Sequence, residues 1–118
     1  MEIRDLSWEE KIALVGLIEY LVESDTAVSE QEIDQIQSIA AEIGHEEFRS
    51  LAEEVDRRFE DEAALREFLK TIVGREARDL IFEKALETAI PDGILTHESD
   101  MLEWLEREWA IEVEIGDD

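Results

Sequence analysis

Two pairs of carboxylates stand where one apolar stretch gives way to the next, Asp25 with Glu32 and Asp92 with Glu98. Carboxylate, hydroxyl and carbonyl oxygens are the ligands of hard divalent cations such as Ca²⁺ or Mg²⁺, and Ca²⁺ takes about six to eight of them. In each pair the aspartate follows a helical run and a hydroxyl residue, Ser29 or Thr96, occupies the cap of the next. The glutamate then lies in that helix's first turn. Two carboxylates per turn bind an ion weakly unless water or the other turn completes its shell. The same residues also read as pure capping, because Ser29-x-x-Glu32 is a capping box and Asp92-Gly93 a turn dipeptide. Acids in a first helical turn are favoured by the helix dipole without any ion. Neither turn follows the EF-hand spacing.

Other chemistry is sparse. The chain has no cysteine, so disulfides, thiolate metal sites and cysteine nucleophiles are all excluded. His97, beside Glu98 and Asp100, could add a nitrogen ligand, and also reads as an exposed first-turn residue; His45 has only Glu46 and Glu47 as polar neighbours in sequence. No glycine-rich phosphate loop, Walker sequence or HExxH occurs, and no nucleophile or electrophile pairs with the many acids, so no enzymatic activity is expected. Trp104 and Trp109 lie too far round one helix to share a narrow stripe. Either both pack in the core, or one packs inside while the other joins Ile111 and Val113 in an interface, aromatic and aliphatic surface being typical of binding hot spots.

Charge restricts the partners. Against 34 acidic residues stand 11 basic ones, a formal charge of −23, which repels phosphate backbones and anionic lipid surfaces. It attracts metal ions and basic proteins, and it also serves solubility. Hydrophobic residues make up 44% of the chain and charged residues 38%, enough apolar surface for one modest core in 118 residues. No apolar run approaches the roughly 20 residues of a membrane span, and the acidic start Met1-Glu2-Ile3-Arg4-Asp5 is unlike a signal peptide. A cytoplasmic location is expected, with no nucleic-acid binding and no insertion into membranes.

Periodicity predicts the elements that must position these residues. Ser7, with Glu10 three residues on, opens a first helix over Trp8 to Glu23, apolar on nearly every face and therefore central, with Gly16 allowing a close helix crossing. Ile33, Ile36, Ala40 and Ile43 mark a second helix, capped by Ser29 and stopped at Gly44. Phe48, Leu51, Ala52, Val55 and Phe59 mark a third; after Glu60-Asp61-Glu62, a fourth carries Leu65, Phe68, Leu69 and Ile72 up to Gly74. A fifth runs from Arg75 to Ala89, ending because Pro91 disfavours helical geometry at Ile90. The sixth starts near Thr96 and carries Met101, Leu102, Leu105 and Trp109. The alternating tail Ile111 to Ile115 reads as a frayed end or a short strand. The whole predicts a single all-α domain over residues 1–118, a compact bundle of six or seven helices with its core over about 6–109 and an acidic tail at 110–118.

The two turns form a weak internal helix-turn-helix repeat. Asp25 pairs with Asp92, Val28 with Leu95 and Ser29 with Thr96; after a one-residue deletion Glu32 pairs with Glu98, Ile36 with Leu102 and Ile39 with Leu105. Asp92-Gly93-x-x-Thr96-x-Glu98, opening an amphipathic helix, resembles the signature of TerB-like domains, the tellurite-resistance TerB family, and the resemblance extends over roughly Leu6 to Trp109. It implies a helical bundle with acidic, metal-binding turns, without enzymatic activity, acting in bacterial stress-response systems beside TerC-type membrane proteins and calcium-binding TerD-type proteins. Asp92, Gly93 and Glu98 match the second turn of the motif, and Asp25 and Glu32 the first. Thr26 departs from the pattern, which prefers glycine there, and the second turn is one residue shorter than the first.

The function expected is therefore a non-enzymatic module that binds a divalent cation weakly through Asp25, Glu32, Asp92 and Glu98 and interacts with another protein, basic or membrane-associated. Glu53-Glu54-Asp56 and Glu60-Asp61-Glu62, acids outside the turns, suit a different class: an inhibitor or immunity-type protein that neutralises a basic enzyme. A scaffold whose tail adds to a partner's sheet is a third reading.

Overall fold

Ser7 and Glu10 begin the first helix as their spacing predicts. The Glu10 amide donates to Ser7 Oγ at 3.2 Å and the Ser7 amide donates to Glu10 Oε1 at 2.9 Å, a reciprocal capping box that satisfies two end groups. The computed structural model describes residues 2–23, 30–89 and 96–109, with the backbone alone at 22–23, 31–32, 88–89 and 96–100. Within them lie six α-helices: α1 Trp8–Glu23, α2 Glu30–Ile43, α3 His45–Arg58, α4 Glu62–Leu69, α5 Arg75–Ala89 and α6 Thr96–Trp109. No strand occurs among the described residues. The radius of gyration is 13.5 Å, close to the roughly 13–14 Å of a compact chain of this length.

The uninterrupted apolar run of α1 makes it the axis of the bundle. Every side chain from Lys11 to Ile18 is buried, and α1 packs against α3, α4 and α5. Small residues set the closest approaches. A Cβ at Gly16 would stand 3.1 Å from Leu65 Cδ1 and 3.3 Å from Phe59 Cε2, so the α3–α4 corner seats against bare backbone there. α5 presents buried Ala77, Ile81, Phe82 and Ala85, and α6 presents Met101, Leu102, Leu105 and Trp109.

Three details differ from the sequence reading. α4 stops at Leu69 rather than near Gly74, because the Thr71 amide and hydroxyl both donate to the Phe68 carbonyl, at 2.9 and 2.7 Å. That local bonding ends the helix and leaves Ile72 buried just beyond it. In α2 the buried stripe is Ile39, Ala40 and Ile43 with Ile36 half-buried, while Ile33 falls at the edge of the stripe and stays 43% exposed. The core also begins before Leu6, since Ile3 is fully buried from a 3-10 turn over Ile3–Asp5.

Gly44 joins α2 to α3 at φ 111°, a conformation open to glycine and strained for other residues. Its amide donates to Ala40 and its carbonyl accepts from Phe48, both at 2.8 Å, so one residue closes one helix and opens the next. No helix of the described residues is long and apolar enough to cross a membrane.

Candidate functional site

Helices α1, α3 and α4 enclose a recess of about 170 Å³. The corner Phe59–Asp61 is only three residues long, which brings the last turn of α3 and the first turn of α4 over the middle of α1. Gly16, Val55, Phe59 and Leu65 form an apolar floor and wall; Glu19, Asp56, Glu60, Asp61 and Glu62 surround it, with Tyr20 at one side.

Each polar group at the rim has a distinct status. Asp61 caps α4, its Oδ1 accepting from the Ala64 amide at 2.9 Å. Glu62 accepts from the Tyr20 hydroxyl at 3.1 Å and forms an ion pair with Arg66. Those two carboxylates are committed to the fold. Asp56 and Glu60 are exposed and have no hydrogen bond or ion pair among the described residues. The lining contains no lysine, arginine or histidine, so every charge it presents is negative.

The arginines nearby show how this chain holds a guanidinium. Arg66 lies over the Trp104 ring at 4.6 Å while pairing with Glu62, and Arg58 lies over Phe68 at 5.6 Å while bonding Glu54 at 2.6 Å and Glu9 at 3.1 Å. Each contacts both an aromatic ring and a carboxylate, where charge and ring quadrupole act together.

Of the residues singled out for metal binding, Asp25 and Asp92 lie outside the described residues, and Glu32 and Glu98 are placed by backbone alone, in the first turns of α2 and α6. The helices bracketing the turns do meet: Gln35 Nε2 of α2 donates to Glu87 Oε1 of α5 at 3.0 Å, so the start of α2 abuts the end of α5. Among the described residues no cluster of three or more histidine or carboxylate side chains is arranged to hold an ion.

The two tryptophans divide. Trp109 is 2% exposed and donates its indole N–H to the Leu69 carbonyl at 2.9 Å, so it packs inside and offers no side-chain surface. Trp104 is only partly buried, under Arg66. Ile111 and Val113 lie outside the described residues.

Sequence reasoning singled out Glu60-Asp61-Glu62 and Asp56 as acids beyond the turns, but not the recess. Its floor combines residues from three helices, and only Gly16, an isolated glycine in an otherwise bulky helix, signalled a close approach there. No protein-family model, curated protein or solved structure matches the chain.

Proposed function

We propose that this domain is a non-enzymatic, acidic interaction module whose partner is a basic protein. One observation carries the reading: a recess with an apolar floor, whose lining holds five carboxylates and no basic residue, on a chain of net charge −23. Long-range attraction accelerates the encounter and the recess fixes the register. An apolar floor inside a polar rim is the general anatomy of a protein interface. This is the chemistry that neutralising inhibitors of basic enzymes use, and a basic subunit of an assembly presents the same target.

Site-specific photo-crosslinking in cells tests it. With a benzophenone amino acid in place of Glu53, an exposed residue three before Asp56 on α3, a discrete adduct to a basic protein is expected, absent when the probe replaces Glu83 on α5. Adducts to acidic proteins alone, or none, overturn the reading.

A second reading keeps the TerB-like assignment, with a divalent cation at Asp25, Glu32, Asp92 and Glu98 within a stress-response assembly. What supports it is the sequence repeat together with the Gln35–Glu87 bond, which joins the helix after the first turn to the helix before the second. The readings are compatible, because ion and partner use different carboxylates.

A further inference from the structure

We infer that the recess between α1, α3 and α4 receives an arginine side chain of the basic partner, an inference that rests on the reading of the domain as an acidic partner-binding module. Size favours a small occupant. At about 170 Å³ the recess falls below the roughly 300–1,000 Å³ of cofactor and drug-sized sites, yet it has room for several waters and hence for one guanidinium head with part of its stem.

Chemistry selects arginine over lysine. Phe59 supplies an aromatic wall and Val55 and Leu65 an apolar lining, whereas Asp56 and Glu60 supply carboxylates with no partner of their own among the described residues. A planar, weakly hydrated guanidinium stacks on a ring and bonds carboxylates at its edge; a compact, strongly hydrated ammonium loses more on entering an apolar recess. The chain already combines these contacts twice, with Arg58 over Phe68 and paired to Glu54 and with Arg66 over Trp104 and paired to Glu62. At the recess the ring and the carboxylates are present and the lining includes no arginine. Charge complementarity therefore assigns the missing member to the partner.

The test is a calorimetric titration of the full chain with an end-blocked tri-arginine peptide and its tri-lysine counterpart, at one ionic strength. Asp56→Asn with Glu60→Gln removes the two uncommitted carboxylates without touching the cap or the Tyr20 bond. Glu76→Gln with Glu83→Gln, exposed residues of α5, changes net charge equally at another face. Tri-arginine is expected to bind the wild type more tightly than tri-lysine, and the recess variant to lose about fivefold in affinity while the α5 variant changes less than about twofold, the difference between losing local charge pairs and losing only a screened distant field. Phe59→Leu is expected to erase the preference for arginine. Equal losses in both double variants, equal affinity for the two peptides, or no binding of either overturns the arginine recess. The acidic-module reading is judged separately, by crosslinking from position 53 to a basic protein.

Discussion

The indole N–H of Trp109, the last residue of α6, donates to the carbonyl of Leu69, the last residue of α4, at 2.9 Å in the buried core. Arg78 stacks on the same ring at 5.7 Å and donates through Nε to the Ile72 carbonyl at 2.6 Å. Three helices are thus tied at one point. The Leu69 carbonyl also accepts from the Ile72 amide at 3.2 Å, so removing the indole N–H does not orphan it. Trp109→Phe is therefore expected to cost only about 1–2 kcal/mol, a lost bond plus a small void, against roughly 3–5 kcal/mol for Trp109→Ala. Urea denaturation of the three proteins checks the order.

Ending the chain after Trp109 keeps this tie intact. Such a truncated chain is expected to unfold cooperatively with a midpoint close to that of the full chain, whereas ending it after Glu108 is expected to lower the midpoint sharply. If Ile111 and Val113 belong to an interface, the first truncation weakens association with the partner while stability holds. Thermal melting and partner titration on the same samples separate the two effects.

A second tie joins Lys11, whose side chain is 11% exposed, to Glu47 at 2.9 Å, with Glu47 itself 37% exposed. Deleting the outer member strands the inner one. Glu47→Gln leaves an ammonium in a nearly dry position and is expected to cost about 1–2 kcal/mol, below the full penalty of a buried pair because Glu47 is partly solvated; Lys11→Met leaves a carboxylate that water still reaches and is expected to cost less. The asymmetry is the prediction. Equal losses in denaturant titrations would show that neither charge is held out of water.

Two glycines are expected to resist replacement for different reasons. At Gly16 alanine gains about 1 kcal/mol of helix propensity but drives a methyl against Leu65 and Phe59, an overpacking cost of about 1–3 kcal/mol, so the net effect is a small loss with the recess reshaped. At Gly44 there is open space and the obstacle is φ alone, for which a side chain costs of order 1–3 kcal/mol. Gly74→Ala makes only ordinary contacts, 3.4 Å to Glu10 Oε2 and 3.7 Å to Ala77 Cβ, and serves as the tolerated control. Melting temperatures of the three variants give the ranking.

The helices were legible in the sequence because each carries its own signals. Ser7 with Glu10, Gly44 and the apolar run of α1 act within a few residues of themselves, and the structure bears them out. What could not be read depends on partners distant in sequence. Thr71 and Ile72 leave the helical path through local hydroxyl bonding that competes with a continuing apolar pattern. Lys11 reads as one more surface charge until Glu47 of α3 faces it, and the recess needs Gly16, Phe59 and Glu60 to converge from separate elements. Periodicity places a residue on a face; it does not say which faces leave a gap.

The last prediction concerns the acidic turns. Asp25, Glu32, Asp92 and Glu98 lie among so many like charges that, without a cation, neutralising them should raise stability. If an ion binds, it adds RT ln(1 + [L]/Kd), so about 1 mM Ca²⁺ at a site of roughly 0.1 mM affinity adds about 1.4 kcal/mol. Screening of a −23 chain also stabilises, and monovalent salt of matched ionic strength reproduces screening but not coordination. The decisive comparison is wild type against Asp92→Asn with Glu98→Gln, each melted in Ca²⁺ and in matched NaCl. The expected result is an extra rise in Ca²⁺ for the wild type alone. Asp56→Asn with Glu60→Gln should keep that rise, because the recess and the turns use separate carboxylates. Equal gains in wild type and the Asp92/Glu98 variant, or in the two salts, would reduce the turns to helix caps.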